Sequence, residues 1–208
     1  MTKGLPPDPL PRFGDRRRMR IGLLGGSFNP AHAGHRMLAE TARRHLRLDQ
    51  VWLLVSPGNP LKPRTGMAPM AQRLASARTI AAGRYVVATG IEAIYGTRYT
   101  VDTMRRLLCH FPRGRFVWLM GADILVQLPH WRRWQTIVAH LPFVVLPRPD
   151  YTRPALAGPV AHRLRHARRP GRQAALLPGR APGWAFMPGR ENAISSTSLR
   201  AAGKGFVP

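Results

Sequence analysis

Gly25-Gly26-Ser27-Phe28-Asn29-Pro30-Ala31-His32-Ala33-Gly34-His35 is the stretch of this 208-residue chain whose reading decides the fold. It follows residues 20–24, Arg-Ile-Gly-Leu-Leu, a short apolar strand. It runs into residues 34–48, where Met37, Leu38, Thr41, Ala42, His45 and Leu46 recur at helical spacing. Gly25 and Gly26 have no Cβ, so backbone there can approach a phosphate closely. The helix start aims free N–H groups and a positive dipole end at the same place. His32 and His35, three apart, share one side of that first turn, and both can donate hydrogen bonds. The turn has neither the Gly-x-Gly-x-x-Gly of a dinucleotide fingerprint nor the Gly-Lys-Ser/Thr of a Walker loop. A zinc pair would need further Cys, His or carboxylate ligands, and none is suitably spaced nearby, so no metal ligands are assigned. A lone His-x-x-His is more often structural. Its place after Gly-Gly-Ser-Phe-Asn-Pro at a strand-to-helix turn reverses that reading.

Working outward, residues 51–55 form a second strand, closed by the loop Ser56-Pro57-Gly58-Asn59-Pro60. Residues 70–82 read as helix, 85–88 as strand, and 100–111 as helix with Thr100 as N-cap. Residues 116–120 read as strand, 130–140 as helix and 143–146 as strand. Strands alternate with helices, and each connection is long enough for a right-handed crossover. The expectation is an α/β, Rossmann-like domain: a mostly parallel sheet with helices on both faces. Ligands in such sheets bind beyond the carboxyl ends of the strands. Those ends carry residues 25–35, 56–62, 121–123 and 147–149, where the unusual residues gather. Residues 153–180 are rich in Arg, Pro and Ala; 155–169 form a weak helical pattern, 184–187 a last strand, and 198–202 a short helix capped by Thr197. The division expected is a mobile Pro/Arg-rich leader over 1–19 and a domain over 20–208, with 150–208 as a small C-terminal helical subdomain.

Composition sets the limits. Hydrophobic residues are 44% of the chain, enough for a packed core. No apolar run approaches the length of a membrane helix. Arg16-Arg17-Arg18 before a brief apolar stretch is too short for an export signal and has no cleavage site. The only cysteine, Cys109, excludes an internal disulfide, fits a reducing cytoplasm, and reads as a buried structural thiol. The formal net charge of +24 suggests a nucleic-acid partner. Against this, nearly all the basic residues are arginines, they are mostly scattered, and no aromatics interleave with them as a stacking platform. Compositional bias together with an anionic substrate is the preferred reading. Oligomeric state is left open, a homo-oligomer included.

The second informative stretch is Ile194-Ser195-Ser196-Thr197-Ser198-Leu199-Arg200. Alone, Ser-Ser-Thr is an ordinary N-cap. Hydroxyls and a helix start can also give donors to phosphates, and Arg200 one turn on adds a fixed charge. Residues 25–35 resemble the G-G-[ST]-F-[DN]-P-x-H-x-G-H signature of the nucleotidylyltransferase superfamily, and 194–200 resemble its second motif, I-S-S-T-x-[IL]-R. Three intermediate segments are similar to bacterial nicotinate-nucleotide adenylyltransferases: Ser56-Pro57-Gly58-Asn59-Pro60-Leu61-Lys62, Arg98-Tyr99-Thr100-Val101-Asp102-Thr103, and Met120-Gly121-Ala122-Asp123 followed by Trp131 and Trp134. The resemblance covers about residues 20–200. It departs at Ile124, where near relatives often carry Asn.

The resemblance implies adenylyl transfer from ATP to nicotinate mononucleotide, giving nicotinate adenine dinucleotide and pyrophosphate in NAD biosynthesis. It implies that Gly25, Gly26, Ser27, Phe28, His32, His35, Asp123, Ile194, Ser195, Ser196, Thr197 and Arg200 bind ATP. Asn59, Lys62, Tyr99, Thr100, Trp131 and Arg132 would bind the acceptor, and His32, His35, Lys62 and Arg200 would carry the chemistry. Mg²⁺ is expected on the triphosphate, held mainly by phosphates and water. Asp123 reads equally as a helix N-cap. The rival readings are another transferase of this superfamily, such as a pantetheine-phosphate adenylyltransferase, and an Arg-rich nucleic-acid-binding protein on the same fold.

Overall fold

The computed structural model describes residues 6–58, 66–81 and 83–189. Seven strands, β1 (Arg20–Gly26), β2 (Gln50–Val55), β3 (Val86–Thr89), β4 (Arg115–Gly121), β5 (Phe143–Leu146), β6 (Arg168–Arg169) and β7 (Trp184–Phe186), make one sheet in the order β3-β2-β1-β4-β5-β7-β6. Every pairing is parallel. The expected sheet is borne out, and it is wholly parallel. Its connections run one way from β1 through β2 to β3 and then return past β1 to β4. That reversal opens a crevice at the carboxyl ends of β1 and β4.

Strands buried on both faces need apolar side chains at every position. In β4, Phe116, Trp118 and Met120 enter one core, and Val117 and Leu119 enter the other. The first core lies under α3 (Ile91–Tyr95), α4 (Thr100–His110), α5 (Ala122–Gln127) and α6 (Trp134–His140). The second lies under α1 (Ala33–Leu46) and α2 (Met70–Ile80). The 3.6-residue pattern found the long helices. It missed α3 and α5, whose five and six residues are too few to display a period.

Several expectations are corrected. Tyr99, not Thr100, occupies the N-cap position of α4; Thr100 is its first helical residue. The helix expected over 130–140 is a 3-10 turn (Leu128–His130), a break at Trp131 and Arg133, and then α6. Arg133 has φ +52°, a left-handed residue that no continuous helix accommodates. The helix expected over 155–169 divides at Gly158-Pro159 into α7 (Thr152–Ala157) and α8 (Pro159–Arg163). The C-terminal region also contributes β6 and β7 to the main sheet. Cys109 is exposed on α4, not buried, because Met104 and Leu107 take the core side of that helix. The final helix expected over 198–202 lies outside the described residues.

Within the leader, Asp8 and Leu10 lie against the domain. Leu10 is buried in the first core. Asp8 accepts hydrogen bonds from Thr89 Oγ1 (2.7 Å) and from the Gly90 N–H (2.7 Å) just before α3. Among the described residues no helix is long and apolar enough to cross a membrane.

Candidate active site

The turn between β1 and α1 is held from below by its own chain and by α2. Phe28 is buried at 1% exposure with φ +48°, a strained conformation for a bulky residue. Its ring fills the space that a Cβ on Gly26 would enter, at 3.2 Å. Above Gly25, by contrast, a Cβ would meet nothing within 4 Å. Gly25 stands near the carboxyl end of β1, the strand at which the order reverses. The Asn29 amide donates to the Gly66 carbonyl (3.0 Å) and accepts from the Ala68 N–H (3.1 Å). Ser76 Oγ of α2 accepts from the Ala31 N–H (2.9 Å).

His32 occupies the N-cap position of α1, and His35 stands three residues on. Their ring centroids are 3.8 Å apart, and Phe28 backs His35 at 4.9 Å. The His32 N–H donates to His35 Nδ1 (3.2 Å). Burial, then the neighbouring His32 and Arg148, push the His35 pKa down to about 3. Burial and Arg148 also lower that of His32. Both rings are therefore neutral at pH 7. A neutral His35 that accepts at Nδ1 carries its proton on Nε2 and presents a donor there. Both ring nitrogens of His32 are buried without a hydrogen-bond partner among the described residues. An unmet buried nitrogen costs about 1–3 kcal/mol, which an incoming oxygen ligand could recover.

Across the crevice, Gly121 caps α5 and Asp123 lies in its first turn. Asp123 is thus not the N-cap. Its Oδ1 pairs with Arg148 Nε at 3.6 Å. Arg148 follows β5, and its backbone is fixed by Thr152, whose Oγ1 accepts from the Arg148 N–H (3.0 Å) and donates to its carbonyl (2.9 Å). The sequence reading marked residues 147–149 as a strand end without singling out Arg148. Its position after a buried strand, between two prolines, was the available signal. Ile124, the departure from the family pattern, packs against the first core.

A second group lies at the ends of α3 and α4. The Arg132 guanidinium stands 4.8 Å over the Tyr99 ring, and Trp131 packs on Trp118 at 5.4 Å between centroids. Trp131 Nε1 is buried without a partner among the described residues. Thr100 opens α4, where the N–H groups of Asp102 (3.0 Å) and Thr103 (3.2 Å) already reach the Tyr99 carbonyl and the first helical N–H groups before them have no intrahelical acceptor. Glu92 in α3 belongs to none of the motifs legible in the sequence. Its carboxyl accepts from Thr103 Oγ1 (3.3 Å) and Ser56, yet burial outweighs both and raises its pKa to about 7. The structure thus gathers Gly25, Gly26, Ser27, Phe28, His32 and His35 in one turn, with Asp123 across the crevice paired to Arg148. It brings Tyr99, Thr100, Trp131 and Arg132 to the neighbouring helix ends. Asn59, Lys62, Ile194, Ser195, Ser196, Thr197 and Arg200 lie outside the described residues.

A protein of Gluconobacter oxydans named "Probable nicotinate-nucleotide adenylyltransferase" is 59% identical over 187 residues, 89% of this chain and 96% of that protein. One of the same name from Gluconacetobacter diazotrophicus is 58% identical over 191 residues, 91% of this chain and 89% of that protein. The cytidylyltransferase-like family model matches residues 23–202. The chain belongs to the nicotinate-nucleotide adenylyltransferases of the cytidylyltransferase-like family. Two solved structures share its fold. Plasmodium falciparum nicotinic acid mononucleotide adenylyltransferase complexed with NaAD superposes with a TM-score of 0.67 at 15% identity, covering 87% of this chain and 82% of that one. The same enzyme complexed with APC gives 0.64 at 16% identity, with the same coverage. The matched region takes in both residues 25–35 and residues 194–200 of this adenylyltransferase-family chain.

Proposed function

We propose that this chain transfers the adenylyl group of ATP to nicotinate mononucleotide, giving nicotinate adenine dinucleotide and pyrophosphate. The observation that carries the reading is the neutral pair His32 and His35 beside the open space over Gly25, at the crevice where strand order reverses. The 5′-phosphate of nicotinate mononucleotide attacks the α-phosphorus of ATP in line. The new P–O bond forms as the bond to the β-phosphate oxygen breaks, and pyrophosphate leaves with that electron pair. A phosphate monoester is largely dianionic at pH 7, since its second pKa is about 6, so the nucleophile needs no general base. The protein's share is positioning and charge stabilisation.

His35 Nε2–H donates to a phosphate oxygen as negative charge builds on it, and His32 supplies the second contact. Arg148 adds a fixed positive charge on the β5 side, with Asp123 holding its guanidinium. Gly25, Gly26, Ser27 and Phe28 line the triphosphate with backbone. Lys62 and Arg200 neutralise the β- and γ-phosphates, while Ile194, Ser195, Ser196 and Thr197 close the cradle; these roles rest on the family motifs. Among the described residues no three His, Cys, Asp or Glu gather as a metal cage. Mg²⁺ would be carried on the triphosphate, where it would supply charge neutralisation.

On the acceptor side, Trp131 stacks on the pyridine ring. The ring's carboxylate is met by N–H groups at Thr100 and just after Trp131. Arg132, Tyr99 and Asn59 complete the pocket. An amide in place of the carboxylate would fit such donors less well, so nicotinate is preferred over nicotinamide. The reaction's setting is the cytoplasm.

The test is pyrophosphate release from ATP with a panel of phosphate acceptors. Nicotinate mononucleotide should give by far the highest kcat/KM, with nicotinamide mononucleotide and pantetheine phosphate well below it. A faster reaction with pantetheine phosphate would transfer the assignment to that acceptor. No release with any acceptor, alongside steeply salt-dependent RNA or DNA binding, would favour the nucleic-acid reading.

A further inference from the structure

We infer that Arg73 is a positioning residue for the transfer step, holding the phosphate-binding turn after β1 in register with the segment after β2. The inference rests on the adenylyl transfer proposed above. Arg73 lies in α2 at 1% exposure, among the largest fully buried side chains of the described residues. It forms no ion pair among them. Its guanidinium instead donates to three backbone carbonyls: Nη1 to Ser27 (2.8 Å) and to Ser56 (2.7 Å), and Nε to Ala68 (2.9 Å).

The three carbonyls belong to three separate stretches of chain. Ser27 is in the turn that leads to His32 and His35. Ser56 directly follows β2, and its hydroxyl also bonds Glu92 on the acceptor side. Ala68 precedes α2, and its N–H is held by Asn29 of the same turn. One turn along α2 from Arg73, Ser76 accepts from the Ala31 N–H. A single helix thus reaches the phosphate turn at two points and the β2 end at one.

A buried cation whose partners among the described residues are all neutral is a poor way to stabilise a core, and an apolar side chain of similar size would pack at lower cost. What a guanidinium supplies is direction. Its rigid planar set of donors fixes three acceptors relative to one another, whereas the three donors of a lysine ammonium rotate about one nitrogen and impose no such plane. The acceptors fixed here lead to the donor's phosphates on one side and to the acceptor nucleotide on the other. In-line displacement depends on that relative placement, and a misplacement of about 1 Å costs about a hundredfold in rate.

The experiment compares Arg73→Lys and Arg73→Met with the wild type. It reads melting temperature and the full kinetic split, with activity expressed per folded molecule. Arg73→Lys should fold and lose about 30- to 100-fold in kcat, while KM for ATP and for nicotinate mononucleotide each change less than about fivefold. Arg73→Met should behave alike or worse. If Arg73→Lys retains kcat within about threefold of wild type per folded molecule, the inference is overturned, because charge and bulk alone would then suffice. A rise confined to the KM for ATP would also overturn it, making Arg73 a donor-side support only. Failure of both variants to fold would overturn it too, leaving a purely structural residue. Failure of the underlying function would be visible separately, as a wild type that forms no dinucleotide.

Discussion

At the carboxyl end of β1, the turn into α1 keeps its shape through backbone and side-chain hydrogen bonds, from Asn29, Arg73 and Ser76. Between the start of α4 and residues 128–134, the contacts are made by rings instead: Trp131 on Trp118, and Arg132 over Tyr99. In the proposed transfer, the donor side presents fixed donors to phosphate oxygens. The acceptor side presents apolar faces and a few helix-start N–H groups. Attack at the α-phosphorus of an adenylyl donor demands geometry and tolerates little error, whereas a flat ring can be recognised mainly by burial. Mutations on the two sides should therefore fail differently, in kcat on one and in KM on the other.

The largest effect should come from His35→Ala. Loss of one preorganised donor to developing charge costs about 10²–10³ in kcat, with ATP affinity changed much less. An alanine variant with near wild-type turnover would remove the donor-side account. Next is Trp131→Ala, which should raise KM for nicotinate mononucleotide about tenfold and leave kcat within a few-fold. If kcat falls and KM does not, the two sides are not separable in this way.

The smallest effects concern stability against pH, and the two sides have opposite signs. His35 has a folded pKa near 3, below its ordinary 6.5, so the folded state resists its protonation. Its contribution is intact above about pH 6.5 and is lost as pH falls towards 3. Glu92 has a folded pKa near 7, above its ordinary 4.5. Its contribution is intact below about 4.5 and is lost as pH rises through 7. Glu92→Gln should therefore stabilise the protein at pH 8 by about 1–3 kcal/mol relative to its effect at pH 4, measured by denaturant unfolding at both. An equal effect at the two pH values would show that the carboxyl is solvated.

The same contrast explains what was legible beforehand. The donor turn is one contiguous stretch between a strand and a long helix, so spacing alone revealed Gly25, His32 and His35. The parallel sheet followed from the alternation of buried strands with helices. Arg148, Arg73 and Glu92 were not found, because their importance lies in what they meet across the fold. Arg73 looks like any helix-surface arginine until α2 is docked. Trp131 could be named only through resemblance, since a tryptophan after a 3-10 turn looks the same in sequence whether it packs in a core or faces a ligand. Cys109 was misjudged because free cysteines are usually buried, while the register of α4 turns this one outward.

The most direct test of the account is the stereochemical course at the transferred phosphorus. His35 is neutral, and its Nδ1 is engaged by the His32 N–H. In the proposed transfer the acceptor phosphate therefore attacks ATP itself, with no covalent enzyme intermediate. With a chiral α-thiophosphate analogue of ATP and nicotinate mononucleotide, the sulfur should appear in the dinucleotide with inverted configuration at phosphorus. Retention would mean two successive displacements through an enzyme adduct, and would contradict the account.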